Sequence, residues 1–244
     1  MIWTRKPNPN PKPRELERKV QSWGNRQAQL MEKGPERTLQ ESQDVLKWSL
    51  RKTGPDSAFT IKAMNEVANQ LSRQDRVAEE VALREQIVEG LRKNVGPEDE
   101  ATLNAEFKLA TCLIMLERPE SADPLLGHVV AGRSLALGED DPQTLGAMAW
   151  SASVAKMLGR LDDARELQEQ VVSRYGSRGE GESDHGLLAG INLAATLAEL
   201  EQLDEARQLL RGVLSVRQRT LGPEDYKTLE VQRVLASIEE SGTA

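Results

Sequence analysis

Residues 221–229 read Leu-Gly-Pro-Glu-Asp-Tyr-Lys-Thr-Leu, and residues 96–103 read Gly-Pro-Glu-Asp-Glu-Ala-Thr-Leu. The same loop, with substitutions, opens at Gly54 and Gly138, so its glycines fall at 54, 96, 138 and 222, in steps of 42, 42 and 84 residues. The copy that the last gap skips is degenerate at Glu180. A period of this length sets the whole architecture, because it marks a chain built from one repeated supersecondary unit. Other positions keep the step. Thr60, Thr102, Thr144 and Thr228 align, with Gly186 as the exception, and the next residue is aliphatic every time: Ile61, Leu103, Leu145, Leu187 and Leu229. Seven residues on stand Ala68, Ala110, Ala152, Ala194 and Ala236. Further along come Ala122, Ala164 and Ala206, with Glu80 out of pattern, and the pairs Ile87-Val88, Val129-Val130, Val171-Val172 and Val213-Leu214.

Each unit reads as two helices. The Pro and acids of the opening loop suit a helix N-terminus, whose orphan N–H groups want acceptors, and Thr102 is a candidate cap. Helix A then runs about four turns, to near Leu116. A short turn such as Leu158-Gly159-Arg160 follows. Helix B has acids in its first turn, as in Asp162-Asp163-Ala164, and ends on a basic turn such as Arg217-Gln218-Arg219. Alanine recurs where the helices cross, since a larger side chain would hold the backbones apart. On the first helix A, Ile61, Met64, Val67, Ala68 and Leu71 form one apolar stripe at helical spacing and pack inward. Lys62, Asn65, Glu66, Asn69 and Arg73 form the complementary polar stripe, which is expected to point away from helix B.

Composition agrees with an all-helical chain. Apolar residues make up 38% of the 244, charged residues 29% and aromatics 3%. Ala, Leu, Glu, Arg and Gln, all helix formers, dominate, and so few aromatics argue against a sandwich or barrel. The longest apolar run, Leu109 to Leu116, is about half of what a membrane span needs. The lone Cys112, in mid-helix A, excludes an internal disulfide framework and reads as a small buried hydrophobe. With only His128 and His185 as histidines, no metal site is expected. There is no glycine-rich phosphate loop and no nucleophile elbow, so neither a cofactor nor a catalytic residue is assigned. The chain reads as a non-enzyme.

Charge is unevenly spread. Residues 1–53 hold 12 Lys/Arg against 6 Asp/Glu, and residues 54–244 hold 20 against 33. The sequence pI of about 5.2 argues against nucleic-acid binding by the whole chain. Residues 1–53 are left as the segment where a nucleic acid or an acidic partner would bind. Residues 1–13, with prolines at 7, 9, 11 and 13, read as a basic, disordered, polyproline-like tail rather than a signal peptide. The expected compartment is the cytoplasm.

The unit resembles a tetratricopeptide repeat in its longer, 42-residue form, similar to the kinesin light chain repeats and to bacterial proteins that share that repeat. The resemblance rests on Leu221 to Leu229, Leu193-Ala194, Leu158 to Arg160 and Asp204 to Arg207. It implies an all-α fold, an α-solenoid of antiparallel helix pairs (a tetratricopeptide-like superhelix) with about nine to eleven helices. Its parts would be a degenerate capping pair at 14–53, in which residues 36–53 form the helix B, then four repeats at 54–95, 96–137, 138–179 and 180–221, and a terminal helix within 222–244. In residues 14–32, Leu16, Val20, Trp23 and Leu30 share a face, with Arg26 where the small alanine belongs.

The resemblance further implies a protein-interaction scaffold that binds a peptide or protein in a concave groove made of helix A faces. Carried over by position, the groove comprises Lys62, Asn65, Glu66, Asn69 and Arg73, then Asn104, Phe107, Lys108 and Thr111, then Trp150, Ser153, Lys156 and Met157, and finally Asn192. Trp150 reads either as filler beside Gly146 and Ala149 or as an aromatic anchor of the kind found at binding hot spots. Phe107 and Met157 would join it in an apolar pocket. Residues 176–183, Gly-Ser-Arg-Gly-Glu-Gly-Glu-Ser, read either as a hinge or as a worn loop. Self-association through an imperfectly capped end is compatible with the array. The alternative reading is a regulator whose basic N-terminal segment grips nucleic acid or an acidic partner while the solenoid senses a second one.

Overall fold

The structure, a computed structural model, describes residues 35–241. Ten α-helices and no strand occur among them: α1 Pro35–Thr53, α2 Ala58–Ser72, α3 Val77–Asn94, α4 Glu100–Met115, α5 Pro119–Leu137, α6 Pro142–Met157, α7 Leu161–Ser177, α8 Asp184–Glu199, α9 Leu203–Leu221 and α10 Tyr226–Ser241. The tail expected at residues 1–13 and the helix A expected in residues 14–32 lie outside the described residues. The helices form two compact units, one ending at Arg118 and the other beginning at Pro119. In each unit, consecutive helices joined by tight turns pack against one another.

The repeated residues occupy repeated places. Ala68, Ala110, Ala152 and Ala194 have 0% exposure, as the helix crossings require, and Ala122, Ala164 and Ala206 on the B helices are equally buried. Ala236 is exposed, because no helix among the described residues follows α10 to cross it. The final helix begins at Tyr226, three residues later than the loop proline at 223, and buries Val231, Leu235 and Ile238 while Leu229 is only half-buried. Pro119 begins α5, and Pro124 lies in its second turn.

The helix A caps form a column of their own. Ser57, Asp99, Asp141, Ser183 and Asp225 each accept a hydrogen bond from a backbone N–H two or three residues ahead, at 2.8–3.1 Å. Thr102 is therefore not the cap. It is fully buried and donates instead to the Gly96 carbonyl at 2.7 Å, as Thr144 does to Gly138 at 2.9 Å. Thr102 and Thr144 thus tie α4 and α6 to the glycines that open their loops, whereas Thr60 shares hydrogen bonds with the Thr53 and Ser57 hydroxyls at 2.9 Å and the buried Thr228 Oγ1 has no hydrogen-bond partner.

The fourth copy solves the same problem with different backbone. Gly179 takes the left-handed φ of 72°, one residue ahead of the repeat frame, and the loop backbone comes in over α8. A Cβ at Gly186 would sit 2.5 Å from the Glu180 carbonyl oxygen and 2.6 Å from that of Gly181. Only glycine fits where the other copies carry threonine. In the A-to-B turns the left-handed position recurs at Asp75, Glu117, Gly159 and Glu201. The next residue's N–H reaches back to a carbonyl in the last turn of helix A in every case, at 2.9–3.0 Å.

Candidate functional site: the helix A faces

In the first unit the polar stripe of α2 is largely engaged within the protein. Asn65 donates to the Ile61 carbonyl of its own helix at 3.3 Å, and Glu66 accepts from Gln70 at 2.7 Å. Asn69 does not point away from helix B: its Oδ1 accepts from Arg84 of α3 at 3.3 Å. Lys62, Arg73 and Lys108 are exposed, while Asn104, Phe107 and Thr111 are half-buried, with Thr111 donating to the Lys108 carbonyl at 2.8 Å.

Behind this face lies a buried polar cluster that the repeat pattern did not foretell. Glu80, in the column that elsewhere is alanine, is 2% exposed and receives Arg84 Nε at 2.7 Å and Nη2 at 2.5 Å. The guanidinium is buried as well and is shared with Asn69, so the charges are compensated where they are desolvated. Cys112 of α4 is buried beside this pair. Burial, aided by the Glu80 carboxylate, pushes its thiol up to about 11, which keeps it protonated and unreactive near neutral pH. A second carboxylate, Glu106, is fully buried and bound by Arg92 through Nε at 2.8 Å and Nη2 at 2.6 Å.

In the second unit the helix A faces are more apolar. Trp150 is 39% exposed and Met157 is 45% exposed, so Trp150 is not consumed as packing filler. Ser153 donates to the Ala149 carbonyl at 3.1 Å, and Lys156 is paired with Glu199 of α8 at 2.8 Å. Asn192 is half-buried, and its carbonyl accepts from Thr196. Phe107 belongs to the first unit and Trp150 to the second.

The sequence reading left out the part of this face that forms a cleft. A cavity of about 530 Å³ opens between α8 and α10, lined by Ala195, Ala198, Glu199, Leu203, Arg233, Val234, Ser237 and Ile238. Its register shows that it lies on the helix A faces. Val234 stands 84 residues after Trp150, Ser237 84 after Ser153 and Glu199 42 after Met157. Carrying the groove positions forward by further 42-residue steps would have found them. Leu188, 42 residues after Gly146, is another exposed apolar residue on α8, at 51%.

On the loop edge of the second unit, cations from the B helices and helix starts meet the acids of the opening loops. Arg174 binds Asp140 at 2.7 Å and also Glu139, Arg178 binds Glu180 at 2.8 Å, and Arg219 binds Glu182 at 2.6 Å. Lys227 binds Asp184 at 3.0 Å, and their hydrogen bond lowers the Asp184 pKa and raises that of Lys227. Arg217, only 5% exposed, leaves Nε and Nη1 without a hydrogen-bond partner. His185 is exposed and stacks on the buried Tyr175, with ring centroids 6.5 Å apart. Among the described residues no group of acids, histidines or cysteine is placed to hold a metal, and no helix is long and apolar enough to cross a membrane.

Residues 189–225 match the family model of the tetratricopeptide repeat. Among solved structures, the chain is similar to the nearly identical TPR-like repeats assigned to a kinesin light chain of Podosopora anserina. The TM-score is 0.74 at 22% identity, over 83% of this chain and 96% of that one. It is similar to BtubC (BKLC) from P. vanneervenii, with a TM-score of 0.66 and 16% identity over 85% and 92% of the two chains. It is similar also to YrrB, described as a TPR protein with an unusual peptide-binding site, with a TM-score of 0.60 and 17% identity over 89% and 97%. No curated protein matches the sequence. The fold is thus an all-α solenoid of antiparallel helix pairs, of the kinesin light chain-like tetratricopeptide type.

Proposed function

We propose that this protein is a non-catalytic interaction scaffold that holds a peptide or protein segment against its helix A faces. The observation that carries the reading is the apolar, solvent-facing helix A surface of the second unit. There Trp150, Met157 and Leu188 stand exposed, the α8–α10 cleft opens on helix A faces of the same unit, and Lys156 and Glu199 are already neutralised by each other. Large exposed side chains on a surface of small neighbours are what a peptide anchor uses. YrrB, a fold neighbour described as having a peptide-binding site, supports the reading by analogy of fold. In the first unit, Lys62, Arg73 and Lys108 are the groove residues left exposed for a ligand, since Asn65, Glu66 and Asn69 are held internally. The lone buried thiol suits a reducing compartment, and we place the protein in the cytoplasm.

The test is affinity capture from native lysate with the wild type, a Trp150→Ala/Met157→Ala variant and a Glu166→Ala variant on the outer helix α7. Circular dichroism first establishes that all three are equally helical. The expected result is a protein client held by wild type and Glu166→Ala and lost from the double variant. The same proteins on all three baits would place binding elsewhere and overturn the reading.

A further inference from the structure

The cleft between α8 and α10 has one charged group that the fold does not use. Residues 119–241 hold 21 Asp/Glu against 12 Lys/Arg, so a cation in this unit has acids in excess around it. The exposed and half-buried cations take advantage of that. Lys156, Arg160, Arg165, Arg174, Arg178, Arg207, Arg211, Arg219 and Lys227 each lie within 4 Å of an acid. Arg233 is the exception among the exposed ones: it has no acidic partner among the described residues. It lines the cleft together with Val234, Leu203 and Ile238, with Ala195 and Ala198 on the opposite helix leaving room. The one acid of the lining, Glu199, is paired with Lys156.

From this we infer that the α8–α10 cleft is a subsite for an extended peptide bearing an aliphatic side chain next to an acidic one. The aliphatic group enters among Leu203, Val234 and Ile238, and the carboxylate meets the Arg233 guanidinium. The inference rests on the scaffold reading above and assigns its ligand chemistry. A volume of about 530 Å³ is within the usual range for a site that takes a few side chains. Charge selects the partner in two ways. The unit's surplus of acid repels acidic segments in general, and the unpaired arginine accepts one at this point only. Arginine suits the task because its planar fork binds a carboxylate through two parallel hydrogen bonds.

The experiment is selection of a phage-displayed random heptapeptide library on the full chain. Enriched peptides are then resynthesised with a fluorophore, and their affinity is measured by anisotropy for wild type, Arg233→Lys and Arg233→Glu. Expected are peptides with Asp or Glu beside Leu, Ile or Val, weakened about tenfold or more by Arg233→Glu and much less by Arg233→Lys. Replacing the acid of the peptide by its amide should produce a similar loss. Peptides that enrich without an acidic preference, or bind Arg233→Glu as tightly as wild type, would overturn this inference and leave the scaffold reading standing. If no peptide is enriched on the wild type, the helix A surface does not take short segments, and both readings fall.

Discussion

The two units apply one repeat pattern to different internal chemistry. Where the second unit has Ala122, Ala164 and Ala206 at the crossing of helix B, the first has Glu80; where the second has Leu126, Gln168 and Leu210 one turn on, the first has Arg84. Met148 of the second unit stands where the first has Glu106, bound to Arg92. The first unit therefore keeps two carboxylates inside and compensates them, while the second buries no carboxylate among its described residues and sets a row of ion pairs along its exposed loop edge. A repeat fixes the shape of a contact without fixing its chemistry. An apolar contact and a compensated ion pair can fill the same crossing, but they fail differently when one member is removed.

That difference can be broken directly. Glu80→Ala leaves Arg84 buried and without its carboxylate, and should destabilise the first unit by about 3–5 kcal/mol. The double variant Glu80→Ala/Arg84→Leu copies the residues of the second unit and should recover most of that loss. Urea denaturation of the full chain followed by circular dichroism reads both. If the single variant is as stable as the double, the buried pair does not behave as a compensated unit.

The second unit does bury long polar side chains: Arg133 donates to the Gln143 carbonyl at 3.0 Å, Gln168 leaves Oε1 without a partner, and Arg217 has no hydrogen-bond partner at either Nε or Nη1. The column of Arg217 holds Leu91 in the first unit. Arg217→Leu should therefore stabilise the second unit by about 1–2 kcal/mol, because a desolvated, unsatisfied donor is replaced by an apolar contact. For a chain of this size that corresponds to a rise in Tm of about 2 °C or more by calorimetry. A fall in Tm would mean that Arg217 is satisfied by ordered water and contributes to the loop edge.

The smallest effect concerns the turns common to both units. Glu201 holds φ at 62°, a left-handed conformation in which a side chain is strained, and its counterpart Gly159 holds 74° without that strain. Glu201→Gly should be stabilising by a few tenths to about 1 kcal/mol in the same denaturation assay. Glu117→Gly should do the same in the first unit. A loss of stability at both sites would show that the flexibility glycine adds to the unfolded chain outweighs the strain it relieves.

The fold was legible because identical residues recur at one step, and close packing at the helix crossings favours that recurrence. The caps were equally regular but escaped notice, since Ser57, Asp99, Asp141, Ser183 and Asp225 share an acceptor oxygen and not an identity. Thr102 drew the assignment instead because it is the identical residue, although its hydroxyl serves the Gly96 carbonyl. The site was less legible. Asn69 was placed on the outer stripe by helical spacing, and only the position of Arg84 on the neighbouring helix shows that it is held inward. Arg233 and Val234 went unmarked because the residues at their register in other copies, such as Phe107 and Trp150, differ in chemistry, so no column of like residues singled them out.

The central claim is that partners are held on the helix A faces, and covalent trapping tests it most directly. A benzophenone amino acid replaces Met157 on α6 in one protein and Glu166 on α7 in another. Each is irradiated in lysate, and adducts are resolved by mass. The account predicts a discrete adduct from position 157 that Trp150→Ala diminishes, and none from position 166. An adduct from 166 with none from 157 would put the binding surface on the B helices and contradict the account.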